Sequence, residues 1–193
     1  MRTLLATLIA IMLVFGANAF GGVQSEDAVL LTVSVIDVGQ GDSILISTSD
    51  GHAMLVDGGP TEASPKVLEM ISKAGCGKID VLVSTHPHAD HIGGLAGVIT
   101  AFPVGRFVDA AQPHTTATYE NLLAVVEEQG IPYTAAVRGQ KIALDPELEI
   151  LILNPRDDPI GDMNEDSVVL KVTLGEVSCL LAGDAGAAAE EDM

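Results

Sequence analysis

The stretch VLVSTHPHADHIGG, residues 81–94, constrains the fold more than any other part of this chain. An apolar run with strand character leads straight into His86, His88, Asp90 and His91, and then into the paired glycines Gly93 and Gly94. Three of the chain's five histidines are concentrated here. Imidazole nitrogen and carboxylate oxygen are the donors that zinc and similar divalent ions take, at about 2.0–2.2 Å. Positions 86 and 88 alternate, so they can aim at one ion. Positions 90 and 91 follow a turn of the chain and can aim at a second. Gly93 and Gly94 allow the backbone to leave a crowded loop without a side-chain clash. The segment therefore predicts a strand-to-helix corner carrying a metal site.

The surrounding pattern places that corner in an α/β framework. Residues 29–38, 42–48 and 53–57 are short, β-branched and partly alternating, with Ser49, Asp50 and Gly51 at a turn, and they predict an antiparallel meander. His52, just past that turn, is expected to be an exposed hairpin residue. Residues 64–74 carry Val67, Leu68 and Ile71 at helical spacing, with Ser64 as N-cap and Pro65 in the first turn. A strand over 79–84 precedes the histidines. Further helices are expected over 95–102 and 118–129, with strands over 106–110, 133–137, 141–144, 148–153, 168–174 and 177–182. Strands and helices in this order predict two sheets in contact, with helices on their outer faces. The polar segment 154–166 is a loop, where sites commonly sit on a rigid scaffold.

Length and hydrophobic content, 193 residues and 48%, suit one domain with a real core. Residues 1–19 read as an export signal: Arg2, an apolar run from Leu4 to Phe15, and the small-residue pattern Ala17-Asn18-Ala19. An uncleaved membrane anchor is the alternative reading of the same segment. Residues 20–28 form a flexible lead-in, and the domain occupies 29–193. The protein is thus expected to be secreted or extracytoplasmic, or anchored through its signal. Nine basic against 27 acidic residues give a formal charge of −18, and no basic stripe exists to track phosphates. Unaided, such a surface repels nucleic acid, although bound divalent ions invert the local field. Cys76 and Cys179 permit a disulfide without requiring one, since either also serves as a small hydrophobe.

The pattern HxHxDH, preceded by a strand and followed by Gly-Gly, resembles the metallo-β-lactamase superfamily, whose fold is a four-layer αββα sandwich and whose members are mostly two-metal hydrolases. LVDGG places Asp57 where that superfamily has an aspartate bracing the ligand loop. LLAGDAG places Asp184 where an aspartate bridges both metals. VIDVGQGDSILI, Val35 to Ile46, narrows the resemblance to the branch that includes the extracytoplasmic hydrolase domain of the DNA-uptake channel protein ComEC, and ATYENLLAVVEEQGIPY and NEDSVVLKV fit that branch. The resemblance implies that His86 and His88 hold a first ion, that Asp90 and His91 hold a second, and that Asp184 bridges. It also implies that Asp90 doubles as a proton acceptor and that Asp57, Asp42, Ser43, Asn164 and Ser167 support the site. The implied cofactor is Zn2+, one ion or two, with Mn2+ as the alternative.

Two departures accompany the resemblance. The further histidine that superfamily members supply to the first metal has only His114 as a candidate, 28 residues beyond His86, and the polar segment Asn164 to Ser167 stands in its place. His114 is read as lining the cleft or capping the next helix. The His-containing motif that follows the Gly-Asp strand has no counterpart before Met193, so the sandwich is expected to be incomplete at its C-terminus and the chain to be the N-terminal portion of a longer protein. The expected activity is hydrolysis of phosphodiester bonds, with nucleic acid as substrate, through a metal-bound hydroxide. The alternatives are a hydrolase of a small β-lactam or thioester, and an inactive fold kept as a binding module.

Overall fold

The computed structural model describes residues 29–193. The expected signal segment and the whole of the lead-in lie outside the described residues. Among the described residues, nine strands form two sheets. In the first, β1 (Leu31–Val35), β2 (Ile44–Thr48) and β3 (Ala53–Val56) make the antiparallel meander, and β4 (Val81–Ser84), β5 (Phe107–Asp109) and β6 (Tyr133–Ala135) continue it in parallel. In the second, β7 (Leu148–Asn154), β8 (Val169–Leu174) and β9 (Val177–Leu181) pair antiparallel.

Each parallel neighbour in the first sheet is reached through a helical crossover, as a parallel connection requires. A 3-10 turn, Thr61–Ala63, and α1 (Ser64–Lys73) join β3 to β4; α2 (Ala89–Ile92) and α3 (Leu95–Ala101) join β4 to β5; α4 (Ala117–Glu128) joins β5 to β6. One face of the sheet packs on these helices, with Leu45, Leu55, Leu82 and Phe107 against Val67, Ile71, Leu95, Val98 and Leu122. The other face meets the second sheet, with Ile46, Met54, Val56, Val83 and Val108 against Ile150, Ile152, Leu170 and Val172. This explains why β3 and β4 read AMLV and VLVS without alternation: their residues are buried on both faces. The layered sandwich expected from the sequence is present. After β9 the chain adds one helix, α5 (Ala187–Glu190).

Two local expectations are corrected, and one open alternative is decided. Residues 141–144 form no strand; only Lys141 bridges to Leu151, because the chain turns at Asp145 after burying Ile142 and Leu144. Ser64 is the first residue of α1, not its cap, since the preceding 3-10 turn already runs in helical conformation through Ala63. Cys76 packs on the helix side of the first sheet and Cys179 on the opposite side, so the two thiols are free.

Candidate metal centre

The site lies at the carboxyl ends of β3, β4 and β5, where crossover connections leave a crevice in open parallel sheets. Asp57 follows β3, Thr85 and His86 follow β4, and Asp109 ends β5. Asp57 adopts a left-handed backbone conformation, φ 57°, which aspartate tolerates better than most residues. That turn buries its carboxylate completely. Oδ1 accepts the Thr85 amide at 2.8 Å; Oδ2 accepts the Thr85 hydroxyl at 2.6 Å and His91 Nδ1 at 2.8 Å.

These partners set the tautomers of two histidines. The single Thr85 hydroxyl proton goes to Asp57, so Thr85 Oγ1 can only accept from His86 Nδ1, 3.0 Å away. His86 therefore carries its proton on Nδ1. In neutral His91, Nδ1–H donates to Asp57 in the same way. Both Nε2 atoms are left with free lone pairs, and both are buried without a hydrogen-bond partner. They face Asp184, which lies 3.9 Å from His86 Nε2 and 3.4 Å from His91 Nε2. The two rings are 4.1 Å apart between centroids, and His88 stands edge-on to His86 at 4.7 Å.

Electrostatics match this arrangement. Burial, reinforced by the neighbouring His91 and His88, pushes the His86 pKa down to about 3, so its imidazole is neutral and available as a ligand. Burial also pulls His91 down, but the Asp57 hydrogen bond and charge, with Asp184 and Asp42, outweigh it and leave the pKa raised. Two ligand groups emerge: His86, His91 and Asp184, and separately Asp42, Asp57 and His91. Two orphaned imidazole nitrogens and adjacent carboxylates form a nitrogen–oxygen donor set that fits zinc or a similar divalent ion.

Not all of the remaining sequence-expected residues reach this centre. Asp90 is half-buried in the first turn of α2. Ser167 brings Oγ to 3.3 Å from His86 Nδ1 across 81 residues of sequence, and Asn154 holds its loop by donating to the Glu165 and Ser167 carbonyls. Asn164 lies in that loop with its side-chain oxygen buried and unpartnered, as is the Ser43 hydroxyl. Among the described residues His114 joins neither ligand group; it is half-buried against Tyr119, with 6.2 Å between ring centroids, and Thr116 caps α4 instead. His52 is half-buried beside Asp80 rather than exposed.

Sequence reasoning missed Thr85 and a second buried carboxylate. Asp109 accepts the Ala111 amide and the hydroxyls of Tyr119 and Tyr133, whose pKa values burial and Asp109 push up. This anchors the loop from which Gln112 donates to the Met163 and Asp166 carbonyls. The available signal was an aspartate ending a strand, as in LVDGG, followed by ATYE at helical spacing.

The model of the metallo-beta-lactamase superfamily matches residues 36–193. ComE operon protein 3 of Bacillus subtilis (strain 168) is 26% identical over 178 residues, covering 83% of this chain and 23% of that protein. Competence protein ComA of Neisseria gonorrhoeae is 31% identical over 161 residues, covering 83% and 21% respectively. The chain thus spans about a fifth of the length of these curated relatives. Among solved structures, the metallo-beta-lactamase SMB-1 bound to 2-mercaptoethanesulfonate aligns with a TM-score of 0.57 at 17% identity, covering 78% of this chain and 60% of that one. That likeness is one of fold.

Proposed function

Because the chain belongs to the metallo-beta-lactamase superfamily, whose members are in general metallo-hydrolases, we propose that it is an exported hydrolase of phosphodiester bonds acting on DNA. His86, His88, Asp90, His91 and Asp184 would hold one or two Zn2+ or Mn2+ ions. The observation that carries this reading is the pair of buried, unpartnered Nε2 atoms facing Asp184, with both Nδ1 atoms committed to Thr85 and Asp57. Divalent ions bound there supply Lewis acidity and lower the pKa of a bound water towards about 7.

The chain's own residues do the rest. Asp57 and Thr85 lock both imidazoles in the ligating tautomer, and Ser167 gives His86 Nδ1 a second contact. Asp90, half-buried in the first turn of α2, would accept the proton of an attacking water. The phosphodiester preference is supported by the competence proteins to which the chain is similar, and export by the pattern of residues 1–19. With a charge of −18 the protein has few cations to grip a phosphate, so the metal ions must do most of that holding.

The test is incubation of the purified chain with single- and double-stranded DNA in Mn2+ or Zn2+, beside a His86→Ala/His88→Ala control and a chromogenic β-lactam. Metal-dependent release of nucleotides that the double variant loses supports the proposal. Turnover of the lactam alone would redirect it to small-molecule hydrolysis, and bound metal with no turnover would make the fold a binding module.

A further inference from the structure

Asp184 enters the metal centre from the turn between β9 and α5, and among the described residues no hydrogen bond holds its carboxylate, which faces His86 Nε2 at 3.9 Å and His91 Nε2 at 3.4 Å. Its side chain is 43% exposed, so its aim is set by the backbone on either side of it. Before it, Gly183, at φ 52°, runs against Thr85, where a Cβ would stand 3.0 Å from the threonine Cβ and Oγ1. After it, Gly186 runs against Glu165, where a Cβ would stand 2.6 Å from Oε1. The other oxygen of that carboxylate, Glu165 Oε2, accepts the amide of the fully buried Ala189 at 2.9 Å.

Glu165 is itself held from several directions. Its amide donates to Asp162 Oδ1 at 3.1 Å, and its carbonyl accepts from Asn154 Nδ2 at 2.8 Å. The same Asn154 group donates to the Ser167 carbonyl at 2.7 Å, and Gln112 donates to the Met163 and Asp166 carbonyls. Just beyond, Ser167 Oγ lies 3.3 Å from His86 Nδ1, and the Val168 amide donates to the Thr85 carbonyl at 2.8 Å. One fixed segment thus touches the histidine corner through residues 167 and 168 and the Asp184 turn through Glu165. The segment's own shape is kept by the partners of its main chain, which leaves the Glu165 carboxylate for the turn.

We propose that Glu165 is a positioning residue for Asp184. Its carboxylate ties Gly186 and Ala189 to the segment that carries Ser167, and so fixes where Asp184 stands relative to the two imidazole nitrogens. This rests on the metal-centre reading above and adds a residue that touches no ion. A ligand set must be held to within about 0.5 Å of its working geometry, and a half-exposed carboxylate with no hydrogen bond of its own depends on its flanks for that.

The experiment uses the full chain, stripped with chelator and titrated with Mn2+ and with Zn2+ by calorimetry, with thermal melts in EDTA. Glu165→Ala should weaken metal binding about tenfold, while Glu165→Gln, which keeps the length and an acceptor for the Ala189 amide, should stay within threefold of wild type. On an Asp184→Ala background, Glu165→Ala should cost no further affinity, because the residue it positions is gone. If Glu165→Ala does not melt cooperatively, Glu165→Asp, one methylene shorter, carries the same comparison. A lower melting point with wild-type affinity would overturn the inference and leave Glu165 a purely structural cap. An equal loss in Glu165→Gln would make it a remote charge, and an equal loss without Asp184 would show that it acts elsewhere; either overturns the inference while leaving the metal centre intact. Failure of the wild-type chain to bind either metal would overturn the centre itself and the inference with it.

Discussion

Replacing Asp57 by asparagine should reverse the tautomers of two histidines with hardly any change of shape. Asparagine tolerates the left-handed conformation at φ 57° as well as aspartate does, so backbone strain is unchanged. Its carbonyl must face the Thr85 amide, which has no other acceptor, and its amide group then takes the place of Oδ2. That amide donates where the carboxylate accepted. Thr85 Oγ1 becomes its acceptor and turns its own proton to His86 Nδ1, while His91 Nδ1 must accept. Both imidazoles then carry their protons on Nε2, the atoms that face Asp184.

Binding an ion requires the tautomers to flip back, leaving two buried donors opposed at about 1–3 kcal/mol each. Local rearrangement brings the loss to the lower end, about 2 kcal/mol, or roughly thirtyfold in Kd. The measurement is a Zn2+ titration by calorimetry, paired with 15N NMR of the histidine rings in the metal-free protein. An affinity within threefold of wild type, with Nε2 still unprotonated, would refute the relay through Asp57 and Thr85.

Thr85→Val keeps the shape and the Asp57–His91 bond but removes the hydroxyl between Asp57 and His86, so about tenfold weaker binding is expected, confined to the His86 ion and read by the same titration. Gly41→Ala forces a left-handed alanine against the Asp90 carbonyl and should cost about 3 kcal/mol or more in urea unfolding, with metal affinity falling as the loop between β1 and β2 lifts. In the metal-free protein, His86 has a folded pKa of about 3 against an unfolded value of about 6.5, so its contribution to stability is present above pH 6.5 and is lost as pH falls towards 3. His91, raised in the folded state, contributes below pH 6.5 and loses that contribution as pH rises through its folded pKa. Denaturation midpoints measured from pH 4 to 9 in EDTA should therefore peak near pH 6.5, and a monotonic profile would contradict the assignment. Metal binding should release protons and weaken as pH falls, because His91 must be deprotonated to ligate.

Much of this molecule was legible in one dimension. The continuous apolar runs at β3 and β4, the helical spacing at Val67, Leu68 and Ile71, and the histidine corner all depend on contacts made within a few residues, so local pattern alone specified them. The ligand types were equally plain, since donor chemistry belongs to the side chain. Residues 141–144 were misread because Ile142 and Leu144 have strand-like alternation but pair with β7 only at Lys141.

What tertiary structure decided was which lone pairs are free and what approaches them. The hydroxyl of Thr85 looks like any strand-end threonine until β3 and β4 pair in parallel and bring Asp57, 28 residues away, to 2.6 Å. Ser167 reaches His86 only because the second sheet packs on the first, and Asp42 reaches His91 only because Gly41 lets one loop rest on another. A hydrogen bond is directional and a few ångströms long, so partners separated by tens of residues are chosen by strand register and sheet packing. Spacing along the chain marked candidate ligands, and the packing of two sheets determined which lone pairs among them are free and what stands beside them.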